Sequence, residues 1–390
     1  ERLRQFDENG QWLAEPSVNQ IDRARQAILD RVPPPVWPVI HREADTEKDG
    51  IPRGEHIWAM PTTVLAKALL YRKDLFQQAG LDPRRPPADW DELLQFSRRI
   101  KALPGKYGIT FSGGPYISYG AYSFLASNGA TFMARGEDGR WRASFNTPEM
   151  AEAIYFLLRL VDEPFEAGGE TYKGVAYIGL PGNDASLKWE RGQVGMQFTD
   201  LQDEMLASIN PELVGIAPIP KSPRGVGGGD LNARMLGIFR QTSPRQKLAV
   251  MQYIWFVTSE RAQRIRTKVF IDNGYGRFVR PDLLERFGYD DILRQVPPGW
   301  KDTYQLALAS GVPEPYGKNT QFIYNKVSEP INWALQQPLL ELPREQAIAR
   351  ISEGLDLYAD RVDRFLLGEL TAEEWSHRRM VGASVLLFIA

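Results

Sequence analysis

Amphipathic helical patterns alternate with short apolar runs along most of this chain, and the alternation restricts its folds. Four segments place apolar residues every three or four positions, as one face of a helix requires; they begin at Asp89, Thr147, Ser243 and about Arg344, and their last apolar positions are Ile100, Val161, Trp255 and Phe365. Six short runs are rich in β-branched and aromatic residues: 57–60, 68–71, 107–111, 194–198, 214–219 and 235–239. Strands that alternate with helices are typical of α/β domains, so the sequence predicts an α/β fold.

The length of the chain predicts more than one domain. Its 390 residues exceed the roughly 100–200 residues of a single domain. Because 43% of the residues are hydrophobic and 11% are aromatic, there is enough apolar surface for more than one core. We therefore expect at least two domains.

Charge and cysteine content exclude several function classes. Forty-seven basic and 49 acidic residues leave a net charge of −2, which gives no bulk attraction to nucleic acid or to an anionic membrane. The absence of cysteine excludes disulfides and thiolate catalysis. His41, His56 and His377 are too far apart in sequence for a zinc motif, and the glycine-rich run 224–230 lacks the Lys-Ser or Lys-Thr of a phosphate-binding loop. We expect neither a metal nor a cofactor.

Four aromatic residues lie where a ligand could reach them. Trp and Tyr rings stack on the apolar faces of sugars, and their N–H and O–H groups bind hydroxyls. The four occur at a strand end or in glycine-rich turns, where ligand contact and core packing are equally compatible with the sequence: Trp58, Tyr116, Tyr119 and Tyr275. Trp90 and Trp255 lie on apolar helix faces, and core packing explains them better.

The two ends of the sequence carry a separate expectation. The run 380–390 is uncharged and follows Arg378 and Arg379, after a polar linker at 368–379. A membrane helix needs about 20 apolar residues, so we expect this run to be the start of one, with a docked apolar tail as the alternative. The first residue is Glu1 rather than Met, which suggests that the N-terminal part of the protein precedes this sequence.

Several motifs together resemble one protein family. The segments 68–82 (ALLYRKDLFQQAGLD) and 86–93 (PPADWDEL) are similar to the strand, helix and Trp-Asp-Glu-Leu motif of extracellular solute-binding proteins of the maltose-binding type. Arg72 stands where that family usually has Asn, and Ala88-Asp89 where it has Lys-Thr. The segments 191–198, 215–220, 227–229 and 243–263 resemble later family motifs in the same order, so the likeness extends over about residues 50–365.

The resemblance implies a two-lobed α/β fold with hinge strands and a solute cleft between the lobes. The first lobe would comprise 1–66 and 234–285, without its N-terminal part, and the second would comprise 70–230 and 290–367. The hinges would lie near 66–71 and 230–236. The implied function is non-catalytic binding of an extracellular or periplasmic sugar or oligosaccharide for an ABC importer permease, which could be fused to the same chain and tether it to the membrane.

The resemblance also adds polar candidates to the predicted site. A stacking Trp that many family members carry after the 191–198 strand is replaced here by Thr199-Asp200-Leu201. The polar ligand-binding candidates are Asp200, Asp230, Asn232 and Arg277. An alternative is a glycoside hydrolase that uses paired carboxylates in an aromatic-lined cleft, for which Asp200, Asp203 and Glu204 are the candidates. Thermal stabilisation by a sugar without product formation would separate a receptor from this enzyme.

Overall fold

A computed structural model describes residues 18–44, 54–180, 184–201, 210, 212–225, 228–297, 299–314 and 320–368. Their contacts divide the chain into two compact units. Unit 1 contains the described residues of Glu1–Leu93, Gly195–Pro220 and Gly227–Glu314. Unit 2 contains those of Leu94–Val194, Lys221–Val226 and Pro315–Ala390.

Helices and strands alternate along the described chain, as the sequence predicts. The strands are β1 (His41–Ala44), β2 (Gly54–Ile57), β3 (Met60–Arg72), β4 (Tyr107–Ser112), β5 (Met133–Arg135), β6 (Trp141–Ala143), β7 (Pro164–Ala167), β8 (Glu170–Lys173), β9 (Ala176–Gly179), β10 (Val194–Asp200), β11 (Val214–Ala217), β12 (Asp230–Leu236) and β13 (Val312–Pro313). The α-helices are Val18–Leu29, Trp37–Ile40, Lys73–Gln78, Trp90–Lys101, Ile117–Ser127, Pro148–Asp162, Asp184–Glu190, Pro244–Val257, Glu260–Asp272, Pro281–Arg286, Asp290–Leu293, Trp300–Ala309, Thr320–Leu335 and Arg344–Leu367.

Strand β3 organises unit 1. Its first half pairs antiparallel with β12, and its second half pairs antiparallel with β10 and with β11. Strand β13 extends the sheet by pairing parallel with β12. The middle of β3 is buried on both faces, with Leu69 and Leu70 fully inaccessible and the helix Trp300–Ala309 packed against the strand. A strand covered on both faces reads as a continuous apolar run, which is how 68–71 appears in the sequence.

Unit 2 is built around the parallel pair β4–β9 and a layer of helices. Two short hairpins, β5–β6 and β7–β8, lie outside that pair. Helix Arg344–Leu367 packs against Pro148–Asp162 and Thr320–Leu335. Phe124, Phe132 and Phe145 are among its largest fully buried side chains, so unit 2 has an aromatic core of its own.

The predicted helix starts are confirmed where local capping determines them. Ser243 and Gln246 form a reciprocal capping box at the start of Pro244–Val257. Thr147 accepts a hydrogen bond from the Met150 amide at 3.3 Å, with Pro148 as the first helical residue. Asp89 caps the helix Trp90–Lys101 by accepting from the Glu92 amide at 2.9 Å.

Two predictions are wrong: the strand over 235–239, and the buried apolar face of the helix that begins at Ser243. Strand β12 ends at Leu236, and Phe239 lies beyond it with its side chain 83% exposed. The sequence predicts that the helix Pro244–Val257 buries its apolar face. In the structure Ile254 is the only buried side chain of this helix, and Met251 is exposed. Trp255 instead lies under the guanidinium of Arg31, 3.4 Å from the ring centroid.

Some predictions concern residues that the structure does not describe. The predicted membrane segment 380–390, nearly all of the linker 368–379, the N-terminal 17 residues, Asp203 and Glu204 lie outside the described ranges. Within the described part of the chain, no helix combines the length and apolarity that crossing a membrane requires. The predicted lobe boundaries and hinges stay predictions.

Candidate functional site

Unit 1 holds six of the eight predicted site residues, and unit 2 holds two. Those in unit 1 are Trp58, Asp200, Asp230, Asn232, Tyr275 and Arg277, and those in unit 2 are Tyr116 and Tyr119. The structure places Asp200 on β10 and Asp230 and Asn232 on β12, the two strands that flank β3, with Lys67 of β3 between the two aspartates.

Three strands place a row of alternating charges across the sheet of unit 1. In the antiparallel pair of β3 and β10, Asp200 lies directly opposite Lys67. On the other side of β3 the register pairs Leu231 with Ala66, and one further step places Asp230 opposite Lys67. Cross-strand partners point to the same face of a sheet. Asp200, Lys67 and Asp230 are therefore neighbours on one face, and we call them the charged row.

The centre of the charged row is a buried ion pair. Lys67 Nζ lies 2.8 Å from Asp230 Oδ2, and the two side chains are 6% and 1% exposed. Burial raises the pKa of the Asp230 carboxyl, the ammonium of Lys67 opposes that rise, and the carboxylate of Asp200 adds to it. Asp200 is half-buried, and its Oδ1 is buried with no hydrogen-bond partner among the described residues.

Glu314 adds a third carboxylate beside the charged row. It follows β13, and its amide donates to the carbonyl of Leu231 at 3.2 Å, which holds it next to β12. Burial raises the pKa of the Glu314 carboxyl to about 7, and the charge of Asp230 adds to the rise. Lys67, Arg42 and a hydrogen bond with the Asn232 side chain act in the opposite direction. Glu314 therefore titrates near neutral pH.

Trp58 is joined to this cluster through Arg42. Its indole N–H donates to the carbonyl of Arg42 at 2.9 Å, and its ring packs edge-on against His56 at 5.7 Å between centroids. The guanidinium of Arg42 is one of the charged groups that lower the pKa of Glu314. Trp58 remains 46% exposed. An accessible aromatic ring and a cluster of acceptor oxygens are thus linked within unit 1.

Tyr275 and Arg277 belong to a separate turn of unit 1. Tyr275 is exposed and meets the ring of Phe270 edge-on, with 6.4 Å between the centroids. Arg277 is half-buried, and its guanidinium carbon lies 5.1 Å from the centroid of Phe278. These contacts fix the turn locally.

Unit 2 presents two exposed tyrosines beside a turn that side chains of a neighbouring helix hydrogen-bond. Tyr116 and Tyr119 are 53% and 41% exposed, and they flank the junction of a 3₁₀ turn and the helix Ile117–Ser127. Two side chains of helix Thr320–Leu335 donate hydrogen bonds to the backbone of that turn. Ser328 Oγ donates to the carbonyl of Pro115 at 2.9 Å, and the side-chain amide of Asn332 donates to the carbonyl of Gly114 at 2.9 Å.

A concave surface lies in unit 2, and none of the predicted site residues lines it. It is an open groove of about 700 Å³ between the end of helix Trp90–Lys101, the β7–β8 hairpin and helix Asp184–Glu190. Its lining includes Lys101, Lys106, Lys188, Tyr107 and Tyr172. Lys101 and Lys188 lie over the rings of Tyr107 and Tyr177, at 4.0 and 4.8 Å from their centroids.

Sequence reasoning missed Lys67 and Glu314. A lysine inside the apolar run 64–71 is a detectable signal, because lysine is rarely buried without a partner. No local pattern marks Glu314, whose role depends on a strand pairing with β12 about 80 residues away in sequence. Among the described residues, no group of three His, Asp or Glu side chains could hold a metal ion. The geometry offers hydrogen-bond acceptors beside an aromatic surface.

Comparison with known proteins gives three curated relatives that illustrate the similarity. A putative binding protein of Brucella abortus is 31% identical over 174 residues, 44% of this chain and 39% of the relative. The mannitol-binding protein of Pseudomonas aeruginosa is 27% identical over 270 residues, 68% of this chain and 55% of the relative. The sn-glycerol-3-phosphate-binding periplasmic protein of Shigella flexneri is 33% identical over 122 residues, 30% of this chain and 26% of the relative. The chain thus spans about half or less of the length of these relatives.

Solved structures and the family profile agree with the predicted fold class. The cyclic α-maltosyl-1,6-maltose binding protein of Arthrobacter globiformis superposes with a TM-score of 0.58 at 20% identity, covering 87% of this chain and 79% of that one. This likeness confirms the α/β fold of the two-lobed periplasmic binding proteins. The profile described as bacterial extracellular solute-binding protein matches residues 23–264, which is more than half of the chain. The chain therefore belongs to the bacterial extracellular solute-binding protein family.

Proposed function

We propose that this chain binds a sugar, an oligosaccharide or a sugar alcohol outside the cytoplasmic membrane and delivers it unchanged to an ABC importer permease. Its family membership supports non-catalytic solute binding. The observation that carries the solute class is Trp58, half-exposed and anchored by its N–H next to a cluster of carboxylates. Aromatic faces beside acceptor oxygens suit the apolar faces and hydroxyl groups of a polyhydroxy compound.

The proposed contacts divide between ring faces and polar groups. Trp58, Tyr116, Tyr119 and Tyr275 would supply ring faces, since each is at least 40% exposed with its ring held by a neighbour or by the local turn. Asp200, Asn232 and Arg277 are half-buried and would hydrogen-bond to hydroxyls. Asp230 is almost fully buried, so we propose that it acts by fixing the position of Lys67.

A thermal-shift screen with mannitol, maltose, maltotriose and glucose tests the proposed function. A solute that binds only the folded state raises the melting temperature by mass action, and 100 times its Kd stabilises by about 2.7 kcal/mol. We expect at least one of these solutes to raise the melting temperature and to be recovered unchanged by chromatography. If the solute is cleaved, the protein is an enzyme and the proposal is wrong.

A matched pair of variants tests the role of Trp58. Trp58→Ala should weaken binding of the stabilising solute by about tenfold to a hundredfold while leaving the melting temperature of the free protein within a few degrees. Tyr253→Ala is the control, because Tyr253 is an exposed aromatic residue on a helix of the same unit. Equal losses of affinity in both variants would contradict a specific role for Trp58.

We also propose that lobe closure around the solute signals occupancy to the permease, with the lobe and hinge boundaries given by the resemblance. Small-angle scattering with and without the stabilising solute checks this, because closure reduces the radius of gyration. The proposed location is the outer face of the cell membrane, and a tether or fused permease after residue 380 rests on the sequence pattern alone. Fractionation of cells that express the full open reading frame tests the tether.

A further inference from the structure

The charged row and Glu314 together contain more negative than positive groups. Asp200, Asp230 and Glu314 are three carboxylates, and Lys67 is the one cation that lies within the row. Arg42 acts on Glu314 from the side of Trp58. Lys67 is already committed to Asp230 at 2.8 Å, so its charge is largely neutralised before Asp200 or Glu314 is considered.

The two remaining carboxylates are less deeply buried than the ion pair. Asp200 and Glu314 are both half-buried, whereas Lys67 and Asp230 are buried. Asp200 Oδ1 is itself buried and has no hydrogen-bond partner in the described part of the chain, so a solute hydroxyl that reached it would supply the missing donor. An ionised carboxylate only accepts hydrogen bonds, so these groups can satisfy hydroxyl donors but no further acceptors.

We propose that Asp200 and Glu314 determine the charge of the solute, accepting neutral polyhydroxy compounds and rejecting those that carry a phosphate. This inference rests on the proposed function and makes its solute class narrower. The relatives include binding proteins for mannitol and for sn-glycerol 3-phosphate, so family membership alone leaves both classes open.

The rejection of phosphate-bearing solutes follows from the negative charge of the carboxylates and from their inability, when ionised, to donate hydrogen bonds. A phosphate monoester brings close to two negative charges and acceptor oxygens to a partly desolvated surface that already holds carboxylates. Like charges in such a place repel, and that penalty exceeds what the added contacts return. The pKa of Glu314 is raised to about 7, so at pH 8 this group is mainly ionised and only accepts hydrogen bonds.

Isothermal titration with matched solutes tests the inference. The probes are mannitol and maltose, each compared with its own phosphate monoester, together with sn-glycerol 3-phosphate, all at pH 8 and low salt. Wild-type protein should bind the neutral member of a pair at least about tenfold more tightly than its phosphate ester. In the double variant Asp200→Asn, Glu314→Gln, that ratio should fall about fivefold or more, whatever happens to the absolute affinities.

Glu260→Gln is the control for loss of negative charge elsewhere, because it removes a carboxylate from an exposed position of the same unit. It should keep the wild-type ratio. Equal affinity of wild-type protein for both members of a pair would overturn the inference and leave solute binding intact. An unchanged ratio in the double variant, or an equal change in Glu260→Gln, would overturn it as well. If none of the probes binds, the proposed function fails and the inference fails with it.

Discussion

Glu314→Gln tests the electrostatics of the cluster without any solute. The pKa of Glu314 rises from 4.5 to about 7 in the folded protein, mainly because of burial. A shift of this size corresponds to about 3 kcal/mol at 1.36 kcal/mol for each pKa unit. The carboxyl is partly exposed, so solvent screening reduces the expected effect to about 2 kcal/mol.

The direction of the effect depends on which state holds the proton more tightly. Between pH 4.5 and about 7 the folded protein retains the proton of Glu314, whereas the unfolded chain has lost it. The stability that Glu314 contributes is therefore complete below pH 4.5, and it is lost as the pH rises through about 7. Glutamine has the same shape and does not titrate. We therefore expect residue 314 to contribute no loss of stability in Glu314→Gln as the pH rises.

Thermal melts of wild type and variant at pH 5, 6, 7 and 8 measure the difference. The melting temperature of Glu314→Gln minus that of wild type should increase by about 5 °C from pH 5 to pH 8, at roughly 2–4 °C for each kcal/mol. The subtraction removes all other groups that titrate in both proteins. Glu260→Gln should give a constant difference. If the difference for Glu314→Gln is equally constant, Glu314 does not hold a raised pKa, and our reading of the cluster is wrong.

Three further variants test packing and pairing by chemical denaturation. Lys67→Met leaves Asp230 buried without its ammonium partner and should cost about 3–5 kcal/mol, part of which Asp230→Leu in the same chain should restore; additive losses would contradict the pairing. Gly215→Ala should cost about 1–3 kcal/mol, since the new Cβ would lie 2.1 Å from the ring of Tyr71, and a neutral result would show that this ring moves easily. Arg224→Ala removes surface ion pairs and should leave the denaturation midpoint nearly unchanged; a clear decrease of the midpoint would show that these pairs hold their loop in place.

Local signals made the helix starts predictable. The capping box of Ser243 and the Thr147-Pro148 pair act within a few residues of sequence, and the structure contains both. The start of strand β3 was harder to predict. The sequence predicts a strand over 68–71, whereas the strand in the structure begins at Met60. Its first half is only partly buried and includes Pro61 and two threonines, so it lacks a continuous apolar run.

The candidate site could be predicted only in part, because its geometry depends on strand register. Asp200 and Asp230 were recognisable as polar residues near strand ends. Their position on either side of Lys67 follows from pairings between segments more than 120 residues apart. A shift of one residue in either pairing would turn an aspartate to the other face of the sheet. Periodicity in a single sequence does not contain that information.

The position of β3 in the sequence has a consequence for synthesis of the protein. Its partners β10, β11 and β12 begin at Val194, Val214 and Asp230, long after β3 ends at Arg72. At about 5–20 residues per second, a ribosome needs roughly 8–33 s to complete those partners. During that interval the apolar centre of β3 is present without its partner strands. Slower translation lengthens that interval, so we expect the yield of folded protein to fall when rare codons are placed between residues 73 and 193, and chaperones that shield nascent strands to restore it.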